Sequence, residues 1–174
     1  MKIRALHIAL FFILVSAVMA VAAEDEYKVK AAMVYNFAKF VEWPSNSFSG
    51  DNRITYCIAG KSSLINNMLH LQGKVVKERT VFVRQVESPT DVSGCQLLFI
   101  TQSERAHLSS YLLQSNHHNI LTVSDLELFA ESGGMIGFTE VEHKIRFEIN
   151  QETAQKQGLK ISSHLLNLSR KTRL

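Results

Sequence analysis

Between positions 27 and 43 the apolar residues Val29, Met33, Val34, Phe37, Phe40 and Val41 fall on one broad arc of a helical wheel, with Tyr27, Ala31 and Ala38 beside them. Lys28, Tyr35, Asn36, Lys39 and Glu42 share the remainder, and Lys30 is the one charge on the apolar side. So wide an arc predicts a helix packed against a sheet. Pro44 disfavours helical geometry at Trp43, so the helix is expected to stop there. The plain reading of the stretch KAAMVYNFAKFVEWP, 30–44, is a core helix; its rings keep a ligand site open as the alternative.

Beyond Pro44 the pattern alternates. Residues 54–59, 80–86, 96–101 and 120–123 read as strands, 62–71 and 102–114 as helices, and 125–130 as a helical turn. Residues 135–139 and 144–149 read as a closing hairpin around Glu142-His143. The runs QLLFI and ILTV are almost continuously apolar, as central parallel strands buried on both faces should be. These elements predict an α/β fold: three layers, a mostly parallel central sheet flanked by helices, in a single domain. Asn150 then caps a polar helical turn that Gly158 terminates. The tail carries Leu159, Ile161, Leu165, Leu166 and Leu168, more apolar surface than one face of so short a piece can bury. An exposed partner-binding patch is therefore expected, with a closing helix docked under the sheet as the competing reading.

The first residues change the picture of where the fold resides. Lys2 and Arg4, the apolar run Ala5 to Val21, and Ala20-Val21-Ala22 before Glu24-Asp25-Glu26 are the three zones of a secretory signal peptide, so residues 1–23 are expected to be removed and 24–174 to form the domain, retention of the run as a membrane anchor being the alternative. The chain has 19 Lys+Arg against 16 Asp+Glu, and Lys2 and Arg4 leave with the signal, so the exported protein is near neutral. That balance offers no electrostatic case for nucleic acid. No Cys follows the signal to be acylated, and a soluble product is expected. An oxidising destination makes a Cys57–Cys95 disulfide the leading reading of the only two cysteines, two buried thiols being the alternative. If the two strands were parallel neighbours in flush register, the Cα separation would exceed what a bridge tolerates.

Motifs for chemistry are thin. Gly60-Lys61-Ser62 follows a strand and precedes a helix, yet a phosphate-binding loop needs a glycine where Thr55 stands. Gly133-Gly134-Met135-Ile136-Gly137 lacks the spacing and following helix of a dinucleotide fingerprint. The histidines form no pair at helical ligand spacing, so no metal site is expected. Neither a nucleophile elbow nor a Cys-x-x-Cys motif is present, and no catalytic residue or cofactor is assigned. An exported enzyme is the last of three readings.

Seven blocks in order carry a resemblance: 30–44, ITYCIAG (54–60), GCQLLFI (94–100), ILTVSD (120–125), GGMI (133–136), IRFEIN (145–150) and GLKISS (158–163). From about Tyr27 to Arg170 the chain resembles the YfiR family. That resemblance implies an α/β periplasmic protein that binds and inhibits the periplasmic sensory domain of an inner-membrane diguanylate cyclase, lowering cyclic di-GMP and biofilm formation. It further implies an outer-membrane lipoprotein that draws the repressor away, and a homodimer is admitted as a further association. Some family members carry a second cysteine pair tied to redox response, which this chain lacks. The alternative function is a periplasmic small-molecule-binding module that presents a ligand to a membrane sensor kinase or cyclase, with Tyr35, Trp43 and Tyr56 as the pocket-lining candidates.

Overall fold

The computed structural model describes residues 26–48, 50 and 52–171; the expected signal peptide lies outside the described residues. Helix α1 spans 26–37. It does not run on to Trp43 as the wheel suggests. A 3-10 turn at Ala38–Phe40 follows, and then strand β1, Val41–Glu42. The β-branched Val41 takes extended geometry and pairs antiparallel with Ile161 of β9, Lys160–Ile161, so ladder bonds with a distant segment outcompete another helical turn.

The main sheet has eight strands in the order β10-β8-β7-β6-β5-β2-β4-β3. These are β2 Arg53–Ala59, β3 Val75–Val76, β4 Arg79–Val86, β5 Leu97–Ile100, β6 Leu121–Ser124, β7 Ile136–Val141, β8 Lys144–Ile149 and β10 Arg170–Lys171. Strands β4, β2, β5, β6 and β7 run parallel, and the antiparallel pairs are β3 on β4 and β7 on β8. Both of those hairpins turn on two non-glycine residues with positive φ, Lys77-Glu78 and Glu142-His143. Positive φ at both central positions is the geometry whose twist suits a tight hairpin.

Because side chains alternate along a strand, the apolar runs supply two cores. Ile54, Tyr56, Ile58, Leu97, Phe99, Leu121 and Val123 face α1, α2 (Leu64–Leu69), α4 (Gln151–Lys156) and α5 (Ser163–Leu168). Cys57, Ala59, Leu98 and Ile100 face α3 (Leu108–Asn116) and the turn carrying Leu126 and Phe129. The result is one three-layer α/β domain. The expected helix 102–114 begins as a 3-10 segment, Gln102–His107, before becoming α3. Asn150 accepts a hydrogen bond from the Thr153 N–H at 2.9 Å as the cap of α4, and Gly158, at φ 72°, ends that helix in left-handed geometry.

Candidate functional site

In an open α/β sheet the favoured binding crevice lies beyond the carboxyl ends of the strands where the connections diverge, here between β2 and β5. That crevice is stoppered. The Lys61 backbone N–H donates to Ser103 Oγ at 2.8 Å, and Gly60 lies so close to Thr101 and Ser103 that a side chain there would collide with both hydroxyls. The amides after β2, which the phosphate-loop reading would need, are thus turned to packing. Open space lies instead on the two flanks of α1.

On one flank a groove of about 760 Å³ runs between α1 and α2. Tyr27, Lys28 and Tyr35 form one wall, and Asn66, His70 and Lys74 belong to the other; among the described residues no carboxylate lines it. Tyr35 is held by its hydroxyl, which donates to the Val75 carbonyl at 2.8 Å. Its ring carries two ammonium groups, Lys39 Nζ at 4.3 Å and Lys74 Nζ at 5.8 Å from the centroid. Beside Lys39 the surface dips again into a recess of about 180 Å³ with Lys77, Lys160, Phe40 and Ile161, and one carboxylate, Glu42. Lys77 is pinned there, donating to the Val41 carbonyl at 2.7 Å.

The opposite flank is built differently. Glu26, Val29 and Lys30 of α1 meet Asp125 after β6, Phe138 of β7 and Ile145 of β8 around a cleft of about 630 Å³. Lys30 accounts for its own misplacement on the apolar arc: its ammonium contacts Glu26 at 2.6 Å and Asp125 at 3.2 Å. Its side chain is 10% exposed and that of Asp125 12%. Burial pulls the Lys30 ammonium down, but the Glu26 hydrogen bond and the Asp125 charge outweigh it, and the net shift is upward. Gln102 Nε2 donates to the Asp125 carbonyl at 2.6 Å, while the buried Asp125 Oδ1 has no hydrogen-bond partner.

The residues singled out by sequence do not converge. Tyr56 is wholly buried at the centre of the sheet, where burial pushes its phenol upward, and Trp43 donates its indole N–H to the Gln96 carbonyl at 3.1 Å. Of the three ligand candidates, Tyr35 lines the groove between α1 and α2, and neither Trp43 nor Tyr56 lines that groove or the cleft on the other flank of α1. Among the tail leucines, Leu159 and Leu165 are in the core, Ile161 and Leu166 are half-buried against it, and Leu168 is 59% exposed. Cys57 and Cys95 form a disulfide with Cα atoms 5.9 Å apart. Their strands are parallel neighbours, yet Cys57 is level with Leu98 rather than Cys95. At the mouth of β5 the Gln96 side chain takes over the ladder, accepting from the Thr55 N–H at 2.7 Å, and this break lets Cys95 turn back. Arg84 of β4 braces that turn by donating to the carbonyls of Asp91 at 2.8 Å and Ser93 at 2.9 Å, and to Cys95 Sγ at 3.3 Å.

Sequence reasoning did not find Lys74, His70 or Asp125 as site residues. Lys30 alone gave a signal, as a charge on an apolar face. Among the described residues no helix is long and apolar enough to cross a membrane, and no group of three or more His, Cys, Asp or Glu could hold a metal ion.

No curated protein matches the chain. Among solved structures it is similar to an ABC domain in complex with L-Trp from Streptococcus pneumonia, at 11% identity and a TM-score of 0.51. The likeness covers 79% of this chain and 59% of that one, so the chain spans under two thirds of its length, and what they share is the fold. The model of the YfiR/HmsC-like family matches residues 27–170, essentially the whole described domain. The chain therefore belongs to the YfiR/HmsC-like family, and that membership supports a periplasmic regulator's role in the diguanylate cyclase pathway rather than an enzyme's.

Proposed function

We propose that this protein is exported to the periplasm, binds the sensory domain of an inner-membrane diguanylate cyclase and holds it inactive. The carrying observation is the family match across residues 27–170. Such an inhibitor needs no catalytic group. It must bind the inactive conformation of the cyclase more tightly than the active one, each tenfold preference shifting the equilibrium by about 1.4 kcal/mol. A disulfide-braced α/β platform suits that task, because a surface that does not rearrange loses little entropy on docking. The apolar part of the contact is assigned to the outer edge of the tail, Ile161, Leu166 and Leu168, since Leu159 and Leu165 are spent on the core. An outer-membrane lipoprotein that competes for the repressor would release the cyclase.

Deletion of the gene tests the reading. Cyclic di-GMP and surface attachment should rise, and the wild-type gene should restore both; unchanged levels in a cell that expresses the cyclase would end the proposal. Leu168→Glu sharpens it: the melting temperature should stay within about 2 to 4 °C while repression is lost.

A second reading, a module that presents a small ligand to a membrane sensor kinase or cyclase, draws on the two clefts beside α1, both within the roughly 300 to 1,000 Å³ range of ligand pockets. The solved structure that shares the fold holds L-Trp. Mass spectrometry of the protein purified under native conditions would reveal a retained ligand.

A further inference from the structure

We infer that the groove between α1 and α2 receives an acidic segment of the partner protein. The inference rests on the regulatory reading above and adds where the partner's charge would lie. Three observations carry it. The groove is concave and has Lys74 and His70 in its wall without a lining carboxylate among the described residues, whereas the cleft on the opposite flank of α1 is lined by Glu26, Asp125 and Glu140. One wall is prepared: Tyr35 is fixed through its hydroxyl to Val75, and its ring carries the ammonium groups of both Lys39 and Lys74. Lys39 also lines the recess that holds Lys77, Lys160 and Ile161, so the basic surface reaches the apolar edge assigned to the partner.

Shape selects the occupant. A lipid surface favours a convex face with apolar side chains set to insert, whereas this groove is recessed and lined with amides and hydroxyls such as Asn36, Asn66, Asn67 and Ser63. Those groups can bond a peptide backbone while the lysines meet its carboxylates. Charge of this kind at the rim of an interface accelerates association and fixes orientation, leaving residence time to the apolar contact. The complex should accordingly form more slowly as salt rises, because the Debye length falls from about 14 Å to about 7 Å between 0.05 and 0.2 M.

The test uses the full processed chain against two probes: the purified sensory domain of the membrane cyclase, and a fluorescent dodecapeptide of alternating glutamate and alanine. Lys74→Glu is expected to weaken both tenfold or more, and wild-type binding should weaken with salt. Asn66→Glu, which adds an exposed negative charge to the groove without removing a lysine, should do the same; folding is checked by thermal melts. Sensory-domain binding undiminished by both changes would overturn the groove while the regulatory reading stands. If the sensory domain does not bind at all but the peptide binds wild type and not the variants, the groove is upheld as an acidic-segment site and the cyclase reading falls. Association with vesicles of three parts phosphatidylglycerol to seven parts phosphatidylethanolamine, with no binding of either protein probe, would overturn it in favour of a membrane surface.

Discussion

Lys28 and Lys30 stand two residues apart on one helix and lie on opposite flanks of it, one exposed and one buried. Lys28 is exposed at the rim of the α1–α2 groove. Lys30 is buried on the other flank between two carboxylates. A step of two residues turns the side chain by more than half a turn of helix, so α1 separates two regimes with its own diameter. On the groove side charge is exposed to water and costs little to maintain. On the cleft side it is spent on orientation: Lys30 tells α1 where to sit relative to the end of β6, and the desolvation of two ions is offset only because both are present.

Four experiments probe this contrast. The largest effect belongs to neither flank. Cys57→Ala with Cys95→Ala should lower unfolding free energy by about 3 to 4 kcal/mol, as expected for a loop closed over a sequence separation of 38, measured by urea denaturation. Because the bridge lies on the α3 side of the sheet, the salt dependence of partner binding should survive its loss. A groove that lost its salt dependence in this variant would show that the two faces are coupled.

Breaking the buried pair comes next. Lys30→Met should cost about 2 to 4 kcal/mol by leaving Asp125 without its cation, and adding Asp125→Leu should recover part of that loss. Equal destabilisation in the single and double variants would mean that packing, rather than charge, seats the helix. The pair also leaves a mark in pH. A lysine whose folded pKa is raised contributes stability that is complete below its unfolded value, 10.5, and is lost as pH climbs through the folded value. Wild type should therefore lose stability above about pH 10.5 more steeply than Lys30→Met. The raised phenols of Tyr56 and Tyr111 act in the same direction but are common to both proteins, so the difference isolates Lys30. The smallest effect is expected at the groove, where Lys74→Glu should change stability by no more than about 0.5 kcal/mol, read from urea midpoints. A larger loss would show that Lys74 is structural.

The sequence made the central strands legible because burial on both faces leaves continuous apolar runs, and Asn150 and Gly158 marked the ends of α4 because caps need specific chemistry. Strand β3 escaped notice. Val75–Val76 is two residues long and turns through Lys77-Glu78, which carries none of the glycine that usually announces such a hairpin. The stop of α1 at Phe37 was likewise hidden, since it depends on Val41 meeting Ile161. The groove was the least legible feature: Tyr35 was visible as an aromatic residue on the polar side of α1, but nothing local says that Lys74 will cross its ring. Lys30 was the exception, because an unneutralised charge on an apolar arc implies a partner, though Asp125 is 95 residues away.

That separation has a kinetic consequence. Helix α1 precedes the other described elements in the chain, yet its bed is completed late: its ion pair is with Asp125, its Phe37 packs against Phe138 and Phe147, and the strand that follows it waits for Ile161. Contacts so distant along the chain slow folding, because much of the polypeptide must be ordered before they can form. Until then the apolar face of α1, with Val34 and Phe37, lacks the partners that bury it, and a binding protein that shielded this face would be expected to limit misassembly.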